Sequence, residues 1–248
     1  MPKRKGVELK RPDAKQAKSA KRNGDTGSRP SKDSDELIRK LNDMSTHEFR
    51  EEYIEAKALE RDAKETQISL KASNELTKQE FNACFDLVST TSRLHYEGSA
   101  AGWNPKQKKR EMMQQEMRYL LVYPSKHSDQ SSNEGSASAD PHGYLSYMLT
   151  HDSTPVVPAL YVYEIHLTED MRKKGVGTHL MDLAEDIAAN VGMKKVMLTC
   201  FLTNAKALHF YEKLGYAKDA SSPEDRKTRK ALIKVDYVIL SKSSDRLP

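Results

Sequence analysis

Apolar positions first recur at helical spacing at Leu37, Ile38, Leu41 and Met44, behind Ser34, Asp35 and Glu36. That pattern predicts a helix opening near residue 34. Phe49 to about Ala63 predicts a second helix, mostly charged, whose narrow apolar stripe needs a larger body to lie on. Gln67-Ile68-Ser69-Leu70-Lys71 alternates and predicts a short strand. Ser73-Asn74 then offers a cap for a long helix from Glu75 to about Tyr96, with Leu76, Phe81, Phe85, Leu87, Val88 and Leu94 as its inner face and Gly98 and Gly102 as breakers. A basic helical segment follows Trp103-Asn104-Pro105 and runs to about Gln115.

Arg118 to Tyr123 and Gly143 to Leu149 predict two paired strands, and the Ser-, Asp-, Asn- and Gly-rich stretch between them reads as a low-complexity insertion, bounded at 124–142, in a hairpin loop. Leu160 to Leu167 predicts a longer strand, Arg172 to Gly177 a turn, and Thr178 to about Asn190 a helix. Lys195 to Cys200 predicts a strand, Asn204 to Leu214 a helix ending at Gly215, and Tyr216 to Lys218 and Lys234 to Leu240 the last strands. The sum is an α/β chain of the α+β kind, a mixed sheet flanked by helices.

Only 37% of the residues are apolar, which is low for 248 residues folded around one core and marks part of the chain as lying outside it. Charge locates that part. Residues 1–30 hold ten basic residues against three acids, a net of +7, in a chain whose formal charge is +5, so residues 31–248 carry −2. The body has no excess of positive charge for nucleic acid. The basic arm, assigned to 1–33, admits three readings: a solvated arm, an import signal built on Lys3-Arg4-Lys5 and Lys21-Arg22, or a nucleic-acid contact. The remaining divisions are a helical segment at 34–65 that packs on the body, a catalytic domain at 66–242 and a tail at 243–248. Cys84 and Cys200 have no ligand-spaced Cys or His partners, and His151, His166 and His209 form no ligand set by spacing, so no metal is expected. No stretch reaches the roughly 18 apolar residues of a membrane span, and no signal peptide is visible.

The chemistry is concentrated in Arg172-Lys173-Lys174-Gly175-Val176-Gly177, between a strand and a helix. Glycines there let backbone N–H groups approach a phosphate, and a helix N-terminus favours negative charge. The sequence is neither a Walker loop nor a dinucleotide fingerprint, and a pyrophosphate suits it. Downstream, a strand ending at Thr199 is followed by Asn204, Ala207, Phe210, Tyr211, Gly215 and Tyr216.

The two halves in this order resemble the acetyl-CoA site of the GNAT family. The resemblance narrows with Tyr161-Val162-Tyr163-Glu164, with Met193 to Thr199, with Ser221-Ser222-Pro223, and upstream with Tyr96-Glu97, Trp103 and Lys108 to Met112. Together these are similar to the NatD-type N-terminal acetyltransferases over about residues 66–241. The resemblance implies a GNAT fold with about seven mostly antiparallel strands and extra N-terminal helices. It also implies acetyl-CoA as co-substrate and histone 4 and histone 2A tails beginning Ser-Gly-Arg-Gly as acceptors. Ala100-Ala101-Gly102-Trp103 departs from the pattern, which has a second aromatic before Gly-Trp.

Transfer from a thioester to an amine needs a neutral amine, a donor for the oxyanion and a proton for the thiolate. An α-amino group near ~7.7–8 needs only a modest base. Glu164, in the strand before the phosphate loop, is the candidate, acting through water, or is an alternating edge residue in a salt bridge. The backbone of Ile165, His166 and Leu167 is expected to meet the thioester and pantetheine arm, because the central GNAT strand splays there. The stretch from Arg172 through Gly177 with Thr178 meets the pyrophosphate, and Asn204 the pantetheine. Tyr211 is the candidate acid, or packs against the cofactor. The resemblance points to Tyr96, Asp152, Ser153, Thr154, Tyr161, Tyr163, Thr199 and Ser221 for the acceptor. Asp152, in the loop before the Tyr161 strand, suits a substrate arginine or peptide backbone, or is an ordinary Asp-Ser turn. A monomer in nucleus and cytoplasm is expected. The alternatives are acetylation of a lysine side chain or small amine, and a non-catalytic acetyl-CoA-binding chromatin module.

Overall fold

The computed structural model describes residues 30–61, 66–124, 140–227 and 232–244. Most of the arm, nearly all of the Ser-rich insertion and the end of the tail lie outside the described residues.

Helix α1 (Lys32–Asp43) starts two residues earlier than its apolar pattern suggested, because the Ser31 hydroxyl accepts from the Ser34 N–H at 3.2 Å and caps it. Helix α2 (Thr46–Tyr53) opens on a reciprocal Ser45/Glu48 capping box but stops ten residues short of the expected Ala63. The reason is burial. Ile54 and Leu59 are both buried, yet five residues apart on a helix they would point about 140° from each other, so the chain turns extended at Ile54 and passes through a 3-10 turn into the two-residue strand β1 (Glu60–Arg61). Leu41 and Phe49 are wholly buried, and burial of that kind stabilises by about 1.5–3 kcal/mol per side chain. Arg118 fastens the pair to the sheet: its Nη2 donates to the Leu41 and Met44 carbonyls at 2.8 and 3.1 Å, which have no helical partners, and its guanidinium lies 4.2 Å from the Phe49 ring.

Strand β2 (Thr66–Ala72) leads to α3 (Lys78–Glu97), whose cap is Thr77 in a capping box with Glu80; Ser73–Glu75 is a separate 3-10 turn. The buried line of α3 is Glu80, Cys84, Val88 and Tyr96, and Leu94, expected inside, is 81% exposed. Helix α4 (Pro105–Met112) begins on an Asn104 cap with proline in its first turn and buries Lys108 and Met112. The remaining elements are β3 (Arg118–Pro124), β4 (Gly143–His151), β5 (Pro158–Leu167), α5 (Val176–Asn190), β6 (Lys195–Phe201), α6 (Ala205–Lys213), β7 (Ala217–Lys218), β8 (Arg226–Lys227), β9 (Leu232–Ile233) and β10 (Tyr237–Ser243). The β8–β9 hairpin was not foreseen.

Among the described residues the main sheet runs in the order β1-β2-β3-β4-β5-β6-β10-β7, the expected seven strands with the two-residue β1 added at the edge; all neighbours are antiparallel except β5 and β6. Both faces are covered, so β3 and β4 are buried almost throughout. On one face α1, α2 and α5 pack on Leu120, Val122, Leu145, Leu160 and Val162; on the other α3 and α4 pack on Tyr119, Leu121, Tyr144, Tyr161 and Tyr163.

One irregularity in β5 positions the site. Ser146 pairs with Glu164 but the next residue, Tyr147, pairs with Val162, which leaves Tyr163 as the extra residue of a β-bulge. Tyr163 and Glu164 thereby face the same side, and the alternation resumes with Ile165 and Leu167 on the α5 face and His166 with Glu164 toward α3. The parallel ladder to β6 ends at the same point, with Val162 opposite Leu198. Beyond it β5 and β6 diverge, and alternate backbone groups of Tyr163–Leu167 aim at the gap that opens.

Candidate active site

Glu164 lies at the bulge, 9% exposed, on the α3–α4 side of the gap. Its Oε1 accepts from Tyr96 Oη of α3 at 3.1 Å and from Lys108 Nζ of α4 at 2.5 Å, and its Oε2 meets His166 Nε2 at 2.8 Å. Lys108 is 4% exposed, and a buried ammonium requires partners. It has Glu164, Glu111 at 2.7 Å, and the Tyr96 ring, whose centroid is 4.8 Å from Nζ. Tyr96 is fixed by Trp103 and Phe201, with ring centroids 5.5 and 4.9 Å away. A carboxylate ion-paired to the Lys108 ammonium and accepting from the Tyr96 hydroxyl is held in one orientation, one requirement of a base that works through an intervening water.

The phosphate-loop candidate sits between β5 and α5. Lys173 at φ 59° and Gly175 at φ 77° are both left-handed, a geometry that turns successive backbone N–H groups toward one side. Gly175 is the N-cap of α5 and offers no side chain, and the first turn carries no acid, so the orphan N–H groups there are left for an anion. Arg172, Lys173 and Lys174 are exposed around it, and Arg172 Nε donates to the Leu167 carbonyl at 3.0 Å. A Cβ on Gly177 would lie 3.5 Å from the Phe210 ring and 3.7 Å from Leu167, ordinary contact distances, so α5 starts close against α6 and the end of β5 without packing demanding a glycine there. Thr178 follows in the first turn of α5. Asn204 caps α6 by accepting from the Ala207 N–H at 3.2 Å. Tyr211 is buried beside Phe210 and Tyr216; burial, with the nearby Cys200 and Glu164 charges adding to it, raises its phenol well above the ordinary range.

The expected acceptor residues separate. Tyr96 reaches Glu164, Tyr163 lies 5.1 Å from Tyr161 ring to ring, and Tyr161 Oη bonds Thr199 Oγ1 in mid-strand. Asp152, expected as an open carboxylate, is 4% exposed and ion-paired to Lys195, which also holds Asp219 at 2.7 Å. Ser221 donates to Asp219 through its N–H and hydroxyl at 2.7 and 2.6 Å, Ser153 N–H donates to Asp152 at 2.6 Å, and Thr154 is exposed beside them. Lys195 pairs with Ala159, so this cluster is five residues down β5 from Glu164, roughly 16 Å along the strand. Lys108, Glu111, Thr91 and the His166 ring were not foreseen as site groups. For His166 a signal existed, since i and i+2 in a strand share a face with Glu164. For Lys108 the signal was only the likeness of the 108–112 run, which gives it no role, because it stands among basic residues of which it alone is buried.

Residues 105–216 match the model of the Acetyltransferase (GNAT) family. Among curated proteins, this chain is similar to "N-alpha-acetyltransferase 40" of Saccharomyces cerevisiae, 30% identical over 96 residues that make up 32% of this chain and 34% of that one. It is also similar to "GCN5-related N-acetyltransferase 5, chloroplastic" of Arabidopsis thaliana, 26% identical over 106 residues, 39% of this chain and 33% of that one. The chain thus spans about a third of the length of the curated relatives it matches. Among solved structures, the NatC complex bound to Gag peptide and CoA is 15% identical, with a TM-score of 0.47 over 71% of this chain and 98% of that one. The fold, a mostly antiparallel mixed sheet opened between its two parallel central strands, is the GNAT fold, and the segment that matches the family model runs from the start of α4 past α6 and contains both Glu164 and the Arg172–Gly177 turn.

Proposed function

We propose that the chain transfers acetyl from acetyl-CoA to the α-amino group of a protein N-terminus, and that its acceptors are histone 4 and histone 2A tails beginning Ser-Gly-Arg-Gly. The observation that carries the reading is the carboxylate of Glu164, held at the bulge where β5 leaves β6 and next to the anion-ready start of α5. The N-terminal acceptor is supported by the resemblance to the NatD type and by the similarity to the yeast N-alpha-acetyltransferase 40. In this reading the α5 start with Arg172, Lys173 and Lys174 holds the pyrophosphate, and Asn204 and the backbone of Ile165–Leu167 hold the pantetheine arm in the gap. The nuclear and cytoplasmic location expected from the basic arm belongs to the same reading.

A water bonded to Glu164 takes one proton from the α-ammonium and passes another to the carboxylate. The amine nitrogen attacks the thioester carbon, and backbone N–H groups of β5 receive the negative oxygen. The nitrogen then sheds its second proton to solvent as the C–S bond breaks and leaves a thiolate. Tyr211 was expected to protonate it, but a phenol raised by burial above its ordinary value is a weaker acid than a thiol near ~8.5. Its role is therefore to donate a hydrogen bond to the departing sulfur, with solvent supplying the proton. At the far end, Asp152 and Asp219 around one Lys195 leave a net charge of −1, complementary to an arginine in a basic tail.

Mass spectrometry of a peptide that begins Ser-Gly-Arg-Gly and carries a lysine further along, after incubation with the protein and acetyl-CoA, tests this. Acetylation of the peptide with a free α-amine, and none with that amine blocked, is expected. Equal modification of both moves the acceptor to lysine and overturns the reading.

A further inference from the structure

We propose that Thr91 and His166 form a positioning pair that fixes the tautomer and orientation of the imidazole so that its Nε2–H holds the second oxygen of Glu164. The inference rests on the reading of Glu164 as the group that deprotonates the acceptor amine. It follows from counting protons along one line of atoms that runs from buried Glu164 and His166 to half-buried Thr91. Glu164 Oε2 lies 2.8 Å from His166 Nε2, and His166 Nδ1 lies 2.6 Å from Thr91 Oγ1, which is itself 2.7 Å from the Leu87 carbonyl.

An ionised carboxylate only accepts hydrogen bonds, so Nε2 must carry the proton of the first contact. In a neutral ring Nδ1 is then bare and needs a donor, and the contact that supplies one is the hydroxyl of Thr91. That hydroxyl has a single proton. The Leu87 carbonyl does not need it, since within α3 it already accepts the N–H of residue 91 at the i+4 position. When the ring takes a second proton, both nitrogens donate and the hydroxyl turns back to Leu87, so the line is satisfied in either state. Only a side chain that both donates and accepts can do this, and a valine at 91 cannot.

The groups that face the imidazole are few. Glu164 contacts it within β5, Thr91 comes from α3, and the Tyr144 ring of β4 lies 5.6 Å away and is held neutral by burial. Lys108 of α4 and Tyr96 of α3 hold the other oxygen of the same carboxylate, with Glu111 behind Lys108. The pair thus does for Oε2 what Lys108 and Tyr96 do for Oε1, and leaves the carboxylate no freedom to rotate. An orientation error of this kind at a base is expressed in kcat rather than in the binding of a remote substrate.

Two readouts test it. Long-range proton–nitrogen correlation of the histidine rings is expected to show the neutral His166 ring as the Nε2–H tautomer in the wild type and as a tautomer mixture in Thr91→Val. A neutral ring protonated on Nδ1 in the wild type overturns the proposal, whatever the acetylation assay gives, because this measurement needs no turnover. In steady-state acetylation, His166→Leu is expected to lower kcat roughly tenfold with KM for acetyl-CoA unchanged, and to move the acid limb of kcat to higher pH as the carboxylate loses a donor. His166→Gln, which restores an N–H toward Glu164, is expected to recover most of that loss. Equal loss in the leucine and glutamine variants, or none in either, overturns it. If no amine is acetylated by the wild type, the acetyltransferase reading fails by itself and the tautomer still decides the positioning pair.

Discussion

The two ends of the β5–β6 pair carry the same kinds of residue and use them differently. At the lower end the parallel ladder is intact from Ala159 to Val162, and Lys195 is closed between Asp152 and Asp219 in a buried cluster. At the upper end the ladder is gone, and Glu164 is surrounded by Lys108, Tyr96 and His166 on the edge of a gap. Where backbone pairing continues, the charged groups are ion-paired within the chain and hold the fold. Where the ladder stops at Val162, next to the bulge at Tyr163, a carboxylate and the β5 backbone are left facing a space that a substrate can fill. The lower cluster should therefore matter for stability first, and the upper one for turnover first.

The largest separation of the two is expected from Glu164→Gln, which keeps shape and burial and removes the charge. Its kcat in the peptide assay should fall by about 10²–10⁴-fold with little change in melting temperature. Lys195→Met breaks the lower cluster instead, leaving two buried carboxylates without their cation. Chemical denaturation should show a loss of about 3 kcal/mol or more, with acetyl-CoA binding retained by the folded fraction. If Lys195→Met abolished turnover without destabilising the chain, the contrast between the ends would be wrong. Tyr211→Phe removes a hydrogen bond to a leaving sulfur but not the proton source, so kcat should drop only about threefold to tenfold. A thousandfold loss would return Tyr211 to the role of acid.

The smallest effect concerns pH. Burial raises the Asp219 carboxyl, but hydrogen bonds from Lys195, Ser221 and Ser241 outweigh it and hold the group at about 2, against 3.8 when unperturbed. A carboxyl lowered in the folded state contributes stability that is complete above the unfolded value and is lost as pH falls through the folded one. Melting temperatures measured from about pH 5 down to about pH 2 should decline more steeply in the wild type than in Asp219→Asn.

Much of this architecture was legible in the sequence because it is coded by spacing over a few residues. The Arg172–Gly177 turn between a strand and a helix, and the runs of β3 and β4, are local patterns, and the structure shows these elements. What escaped depends on distant partners. The bulge at Tyr163 exists only in register with Ser146 and Tyr147, and it decides which face Glu164 takes. Lys108 is distinguished from its basic neighbours only by the carboxylate it meets 56 residues later. The early end of α2 follows from Ile54 and Leu59 finding the sheet, and Leu94 was assigned inward on apolarity alone. The pairing of Asp152 with Lys195 joins residues 43 apart, and no motif announces it.

The central claim is that the gap above Val162, and no other place, receives acetyl-CoA. The most direct test is thermal melting with increasing acetyl-CoA, for the wild type and for Gly175→Val, which forces a β-branched residue into the left-handed turn at the start of α5. A ligand that binds only the native state raises its melting temperature. A rise in the wild type that is lost or much reduced in a folded Gly175→Val is predicted. No rise in the wild type, or an equal rise in both, would contradict the account.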